Sequence, residues 1–343
     1  MMKKTIFFML CLAPIGAQAA FTDNVLTDTG GTFSTTISAN AMYIGAPLPD
    51  PVEEGVIYAG PDVDRQNLSL LYIGADEGVD FTLNGNMEIV NGYSLNLGSA
   101  PESGSVNISL SDVFAGGTLT ISDAGALTAK NVTVNAGLNV GTVKNAGAQS
   151  MTAGVITVKG DDDSGATGGD TVINVAGDLT MGGFHNTGTG TTDIIAGGNI
   201  TVGDSSDSAL ASDIENADVA GNMNITSTGG GLTVHGSVYN SSNTMDIDVN
   251  GDVVVDGTIK NDSNDSTLKI SGNSLKVSDG DEVSDVDDTV VSFVNKGNLY
   301  IDIVGETNLA YGFDLSAMGV DNAFSLVTGS LTFGAGTDMD RWL

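Results

Sequence analysis

The sequence is poor in cysteine, proline and basic residues, and each shortage argues against a class of protein. One cysteine, Cys11, occurs in 343 residues, so no disulfide within the chain can stabilise the fold. Eleven Lys and Arg residues accompany 43 Asp and Glu residues, for a net charge of −32. This balance argues against nucleic acid as a partner, because phosphate binding needs clustered cations. The six prolines and the lack of a glycine at every third position exclude collagen.

The N-terminal segment 1–19 has the pattern of a signal peptide. The charged residues Lys3 and Lys4 precede a short apolar stretch and an A-x-A cleavage site that ends at Ala19. Cleavage there would remove Cys11; lipid attachment to this cysteine is disfavoured because large side chains precede it. No other apolar run is long enough for a transmembrane helix. The sequence therefore predicts an exported protein, either secreted or held at the cell surface.

Glycine is abundant, with 47 residues, and it recurs inside one pattern. The segments VAGDLTM, VAGNMNI and VNGDVVV each place a glycine two positions after an apolar residue and before a short alternating strand. Each unit is interpreted as two short strands joined at a glycine corner, followed by residue types that accept a positive φ. The corner glycines recur about every 20 residues, at the short end of repeat architectures. They lie at positions 177, 197, 221, 236, 251, 272 and 297.

Such units bury their apolar side chains only by stacking, which predicts an all-β parallel β-solenoid. About 9–10 coils are expected over residues 111–305. In the segment VNGDVVVDGTIKNDSND, we expect Val249, Val253, Val255 and Ile259 to face the core. The tract Asn261–Asp265 is predicted to be a loop that leaves the rod and is better placed than the strands to bind a partner. An antiparallel β-sandwich is the alternative fold.

A chain with repeated glycine corners and no cysteine after the export segment resembles the passenger region of autotransporter-type adhesins of Gram-negative bacteria. The resemblance implies a right-handed parallel β-helix with terminal caps, displayed outside the cell in a structural or adhesive role without catalysis. A host glycan or surface protein is the expected partner, and self-association along the rod is possible. The predicted divisions are a signal peptide (1–19), an N-terminal cap or irregular β region (20–110), solenoid repeats (111–305), and a C-terminal cap or truncated continuation (306–343).

Two acidic clusters are candidate calcium sites, because calcium prefers six to eight oxygen ligands. Neither cluster matches the spacing of a known calcium loop, so solvated acidic loops are the alternative. A melting temperature that rises in millimolar calcium would support binding. No other cofactor is predicted. The candidate ligands are Asp161, Asp162, Asp163, Asp279, Asp281 and Asp285.

Other polar residues are assigned structural roles. His185 and His235 lack the spacing of a metal site and are predicted to be surface or stacked side chains. Asn222, Asn273 and Asn298 are expected to form a ladder along the rod. A polysaccharide lyase or hydrolase is the alternative function, since β-helix enzymes are of these kinds. It is disfavoured because the solenoid holds few basic residues and its acidic surface would repel acidic polysaccharide.

Overall fold

The computed structural model describes residue 86 and eight strands in the part of the chain before residue 106. From there it describes residues 106–334, except 117, 123, 136, 160–168, 205–212, 218–219, 280 and 284–288. In this described part the chain has 33 strands in one sheet and no helix. All strand pairings there are parallel except one, which joins Asp281–Val283 to Thr289–Asn295. The all-β parallel β-solenoid is therefore confirmed and the antiparallel sandwich is wrong, whereas the right-handed sense stays a prediction.

Three stacks of strands form three faces of the rod, and each full coil contributes one strand to each face. Face 1 contains β3 Ala41–Ile44, β4 Val56–Ala59, β7 Met87–Ile89, β10 Val113–Ala115, β13 Val132–Val134, β20 Ile214–Asn216, β23 Val238–Asn240, β26 Ile259–Asn261, β30 Thr289–Asn295 and β32 Gly312–Asp314. Face 2 contains β1 Gly31–Phe33, β5 Leu68–Ile73, β8 Ser94–Ser99, β11 Thr118–Ser122, β14 Gly137–Val140, β16 Thr171–Val175, β18 Thr192–Ala196, β21 Met223–Ser227, β24 Thr244–Val249 and β27 Thr267–Gly272.

Face 3 contains β2 Ile37–Ala39, β6 Asp80–Leu83, β9 Val106–Ser109, β12 Ala124–Thr128, β19 Ile200–Val202, β22 Leu232–Val234, β25 Asp252–Val255 and β28 Ser274–Val277. Two long strands bend from face 3 into face 1, and these are β15 Ala148–Val158 and β17 Leu179–Asn186. Two more run from face 2 into face 3, and these are β31 Asn298–Leu309 and β33 Phe324–Phe333. The short β29, Asp281–Val283, pairs with β30.

The coils are longer than the sequence analysis predicted, and each has three strands rather than two. On face 3 the nine steps from Ile108 to Leu331 average about 25 residues, which is still within the range of solenoid repeats. From β10 onward, single steps range from 19 residues, between Asp112 and Asn131, to 34 residues, between Asn261 and Asn295. Residues 111–305 therefore form about eight coils, and the expected 9–10 is wrong.

The glycine pattern recurs at three different corners of the coil. This explains why a repeat of about 20 residues underestimates the length of a coil. Gly251 and Gly272 lie between faces 2 and 3, Gly221 and Gly297 between faces 1 and 2, and Gly236 between faces 3 and 1. A positive φ is not what these corners require. Among the described residues, positive φ occurs only at Gly141, Gly203 and Asn243.

Inward side chains form the single core of the rod, as alternation along short strands requires. All four core residues predicted in the segment after residue 248 are buried: Val249 is 3% exposed, and Val253, Val255 and Ile259 are 0% exposed. In-register stacking places Ile247 beside Ile225 and Ile270 on face 2, so the core continues from coil to coil. Each inward apolar residue therefore packs against equivalents above and below it.

Five asparagines form a buried ladder at the end of the face 1 strands. The side-chain amide of each donates to the side-chain carbonyl of the next, at 2.9 Å from Asn186 to Asn216, 3.1 Å to Asn240, 3.0 Å to Asn261 and 2.7 Å to Asn295. All five are at most 1% exposed. Each buried amide is thereby satisfied by its neighbours in the stack.

The predicted asparagine ladder is wrong about its members. Asn222 and Asn298 share one stack, but Thr244 and Thr267 stand between them, and Asn273 lies at a different corner. The Asn273 amide instead donates to Asp252 Oδ1 at 3.2 Å on the exposed surface. These three residues are separate corner contacts rather than a continuous row.

Two buried hydroxyls have no hydrogen-bond partner among the residues that the structure describes. They belong to Thr171 and Thr192, which stack in register on face 2, and Thr192 in turn stacks on the buried Met223. An unsatisfied buried hydroxyl costs about 1–3 kcal/mol. Because valine has the same shape without the hydroxyl, we expect Thr171→Val/Thr192→Val to raise the free energy of unfolding by about 1–2 kcal/mol. Denaturant titration followed by circular dichroism measures this change.

The matched control for this double variant is Thr180→Val, at an exposed outward position on face 3. Its stability should change by less than about 0.5 kcal/mol. A loss of stability in the double variant would contradict the expectation, because it would mean that the two hydroxyls make a stabilising bond in solution.

Candidate functional site

The predicted calcium ligands are only partly within the described residues. Asp161, Asp162, Asp163 and Asp285 lie outside them, and Asp281 is located by its backbone as the first residue of β29. Asp279 follows β28, and its backbone carbonyl accepts a bond from the Ser292 hydroxyl at 3.1 Å. In the described part of the chain, no three His, Cys, Asp or Glu side chains converge on a point that could hold a metal ion. Calcium binding stays a prediction.

The loop predicted to bind a partner begins later than expected. Asn261 is the last residue of β26 and a buried rung of the ladder, so its assignment to the loop is wrong. The loop that follows contacts the next two coils: Lys296 of the first pairs with Asp262, and the Asn322 amide of the second donates to the Asn264 carbonyl at 3.0 Å. These contacts hold the loop against the rod.

The outward row of face 1 contains chemically varied side chains. Strand pairing places one outward side chain per coil in register along this face. The spacing is about 4.8 Å per coil, so neighbours in the row can touch. In order, the row contains Glu88, Phe114, Thr133, Thr157, His185, Glu215, Tyr239, Lys260 and Val294.

Adjacent members of this row contact each other directly. His185 Nδ1 lies 2.9 Å from Glu215 Oε2, and the two side chains are 22% and 44% exposed. The Lys260 ammonium lies 5.5 Å from the centre of the Tyr239 ring, within the range of a cation–π contact. Four consecutive coils therefore present an imidazole, a carboxylate, a phenol and an ammonium on one face.

Face 3 has a different chemistry at the same structural position. Its outward row contains five threonines on successive coils, and Thr233 is followed by Val254. Threonine suits an outward strand position through its β-branched shape, so this row is explained by strand stability alone. The five stacked residues are Thr128, Thr152, Thr180, Thr201 and Thr233.

Three carboxylates in or near the C-terminal half of the face 1 row are paired with cationic or imidazole groups. His235 Nδ1 lies 2.7 Å from Asp256 Oδ2, Lys296 pairs with Asp262, and Glu215 contacts His185. Both histidines were predicted to be surface or stacked side chains, and each is a partly exposed residue whose ring contacts a carboxylate on the next coil. Each contact engages one oxygen of its carboxylate, and a catalytic acid would have to direct the other at its substrate.

This row was not predicted from the sequence, because its members are irregularly spaced along the chain. The separation is 30 residues from His185 to Glu215 but only 21 from Tyr239 to Lys260. Each separation equals the one between the ladder asparagines that directly follow these residues. One local signal does mark the row: each of these residues precedes a ladder asparagine in the pattern apolar-x-Asn, as in FHN, IEN, VYN and IKN. The asparagines fix the register, and the residue between is the outward one.

Comparison with known proteins gives no relative: no family model, no curated protein and no solved structure matches this chain. The described part of the chain has no helix with the length and hydropathy needed to cross a membrane.

Proposed function

We propose that this chain is an exported bacterial surface β-solenoid with a structural or adhesive role, and that it binds an extracellular partner through face 1. The proposal rests on the contrast between the outward side chains of face 1 and those of face 3. Both faces place outward residues in register, but face 3 has five threonines followed by Val254 and Lys276, whereas face 1 has Phe114, Tyr239, Lys260 and a His–Glu pair. Aromatic and cationic residues contribute most to binding energy at protein interfaces.

Export is supported by the signal-peptide pattern at residues 1–19, and adhesion by the resemblance to passenger regions. The net charge of −32 supports a receptor that is neutral or carries cationic groups, since like charges repel at the surface. A rigid rod keeps the side chains of face 1 in fixed positions before binding. Preorganisation of this kind lowers the entropic cost of association.

The test measures binding of the mature chain to immobilised glycans and to extracellular matrix proteins. Tyr239→Ala/Lys260→Ala should weaken binding at least about tenfold, because it removes the aromatic and cationic contacts of the row. Thr180→Ala/Thr201→Ala on face 3 is the matched control and should bind like the unmodified chain. Equal loss in both variants, or no binding to any surface, would contradict the proposal.

A polysaccharide lyase or hydrolase is the second candidate, and the His185–Glu215–Tyr239–Lys260 sequence of the row is the observation that favours it. Hydrolysis requires two carboxyl groups about 5–10 Å apart, one of them able to donate a proton. The paired state of Glu215, Asp256 and Asp262 supports binding over hydrolysis. Release of reducing ends or unsaturated sugars from a polysaccharide panel would reverse this ranking.

A further inference from the structure

A groove opens on face 1 on the N-terminal side of the His–Glu pair, and its last lining residue, Lys159, lies one coil before His185. Its volume is about 410 Å³, within the usual range for ligand sites. It runs along the rod between the outward row and the corner that leads to face 2. The side chains and backbone that line it include Glu88, Phe114, Gly116, Thr133, Asn135 and Lys159.

The backbone at this groove is not available to a ligand strand. Strand β10, which carries Phe114, pairs in parallel with β7 on one side and with β13 on the other. The corner residues are also bonded from coil to coil: the Gly116, Asn135 and Lys159 amides donate to carbonyls of the preceding coil at 2.7–2.8 Å. An extended peptide therefore cannot add to a free edge here, and recognition must use side chains.

The side chains combine one aromatic ring with several separate polar groups. Phe114 is 47% exposed although it is large and apolar, and its coil neighbours in the row are Glu88 and Thr133. Asn135 and Lys159 follow on the next two coils at the corner, and both are exposed. Lys159 is exposed, and its ammonium supplies three N–H donors.

This combination fits a sugar better than other ligands. A pyranose has an apolar face of C–H groups, which packs on the electron-rich face of an aromatic ring, and a rim of hydroxyls that both donate and accept. A lipid surface needs a wider apolar patch than a single ring, and nucleic acid needs more than one cation. From Glu88 to Thr133 the row spans two coil steps, roughly 10 Å, which suits a short saccharide segment.

We propose that this groove binds an oligosaccharide segment, with one sugar ring stacked on Phe114 and its hydroxyls bonded to Thr133, Asn135 and Lys159. The proposal rests on the proposed function and specifies its ligand class and contact site. Glu88 at one end accepts from sugar hydroxyls, and Lys159 at the other end donates to them. The two opposite charges favour a neutral saccharide, because a uronate would be attracted by only one of them.

The experiment is affinity electrophoresis of the mature chain in gels that contain galactomannan, xylan, hydroxyethylcellulose or polygalacturonate. We expect retardation by at least one of the three neutral polymers and less by polygalacturonate. Phe114→Ala should raise the dissociation constant at least about tenfold, whereas Phe114→Trp should keep binding within about threefold. Tyr300→Ala removes an aromatic ring of similar exposure, 39%, from face 2 and should have no effect.

Each outcome separates this inference from the proposed function. Retardation that Phe114→Ala leaves unchanged would overturn the groove, while adhesion through the part of face 1 that contains Tyr239 and Lys260 would stand. Binding to matrix proteins with no retardation by any polymer would overturn the saccharide class, and retardation by polygalacturonate alone would overturn its neutral character. Thermal melting of each variant controls for folding, and because Phe114 is half exposed, Phe114→Ala should melt within a few degrees of the unmodified chain.

Discussion

Asn240→Leu should lower the free energy of unfolding by about 3 kcal/mol or more. Asn240 is the middle rung of the asparagine ladder and is 0% exposed. It accepts from the Asn216 amide at 3.1 Å and donates to Asn261 Oδ1 at 3.0 Å and to the Thr267 carbonyl at 3.1 Å. Leucine fills a similar volume but leaves the Asn216 donor and the Asn261 acceptor buried and short of a partner. Each such group costs about 1–3 kcal/mol.

Asn308→Leu is the matched control for the ladder variant. Asn308 is an exposed outward residue on face 3, so the same substitution there should change stability by less than about 0.5 kcal/mol. Denaturant titration followed by circular dichroism measures both variants. A similar small change in the two would contradict the ladder's stabilising role, and a large loss in both would point to a general effect of leucine on the rod.

Gly251→Ala should destabilise the chain by about 2–4 kcal/mol. A Cβ atom at this corner would lie 2.7 Å from the carbonyl carbon of Gly230, 2.7 Å from the Gly231 nitrogen and 2.8 Å from the Gly230 oxygen. All three are backbone atoms of the preceding coil, which is held by its own hydrogen bonds, including one from the Gly251 amide to the Gly230 carbonyl at 2.8 Å. The coils must therefore separate locally, and overpacking of this kind costs several kcal/mol when the neighbours cannot move.

Gly272→Ala tests the same corner one coil later with less crowding. A Cβ there would lie 3.1 Å from the Gly251 oxygen and 3.2–3.3 Å from methyl groups of Val253 and Val249, which can shift slightly. We expect a loss of about 1 kcal/mol, measured as for the first variant. If both glycine variants lost the same stability, backbone crowding between coils would not be the cause.

Alternation and the glycine pattern were sufficient to predict the fold class and the inward residues Val249, Val253, Val255 and Ile259. They did not predict how many strands form a coil, because the same glycine pattern occurs at all three corners. A local pattern reports that a chain turns, whereas the number of turns per coil depends on which strands pair. From β10 onward, that pairing is a contact between residues 19–34 positions apart, and its spacing varies along the chain.

The asparagine ladder is the part of face 1 that a local sequence pattern does mark. FHN, IEN, VYN, IKN and FVN end at Asn186, Asn216, Asn240, Asn261 and Asn295, so a search for apolar-x-Asn would have found every rung. Asparagines beside glycines suggested a ladder at the corners instead, because Asn is also a common turn residue. Burial separates the two roles, and burial depends on the stacking of whole coils.

The contrast between faces 1 and 3 could not be predicted in the same way. Membership of an outward row depends on the summed lengths of all preceding loops, and an error of a single position moves a side chain to the other side of the sheet. Phe114 and Tyr239 are far apart in the sequence but lie on one row. Only the register of five successive strand pairs connects them.

Two spin-label distances test most directly that in-register coils produce continuous faces. In a Cys11→Ser background, Thr133→Cys/Val294→Cys labels face 1 and Thr152→Cys/Asn308→Cys labels face 3. Both pairs are six coil steps apart, so pulsed electron paramagnetic resonance should give one narrow distance for each, about 29 Å before the label length is added. Two clearly different distances, or a broad distribution for either pair, would contradict the parallel in-register stack and the faces derived from it.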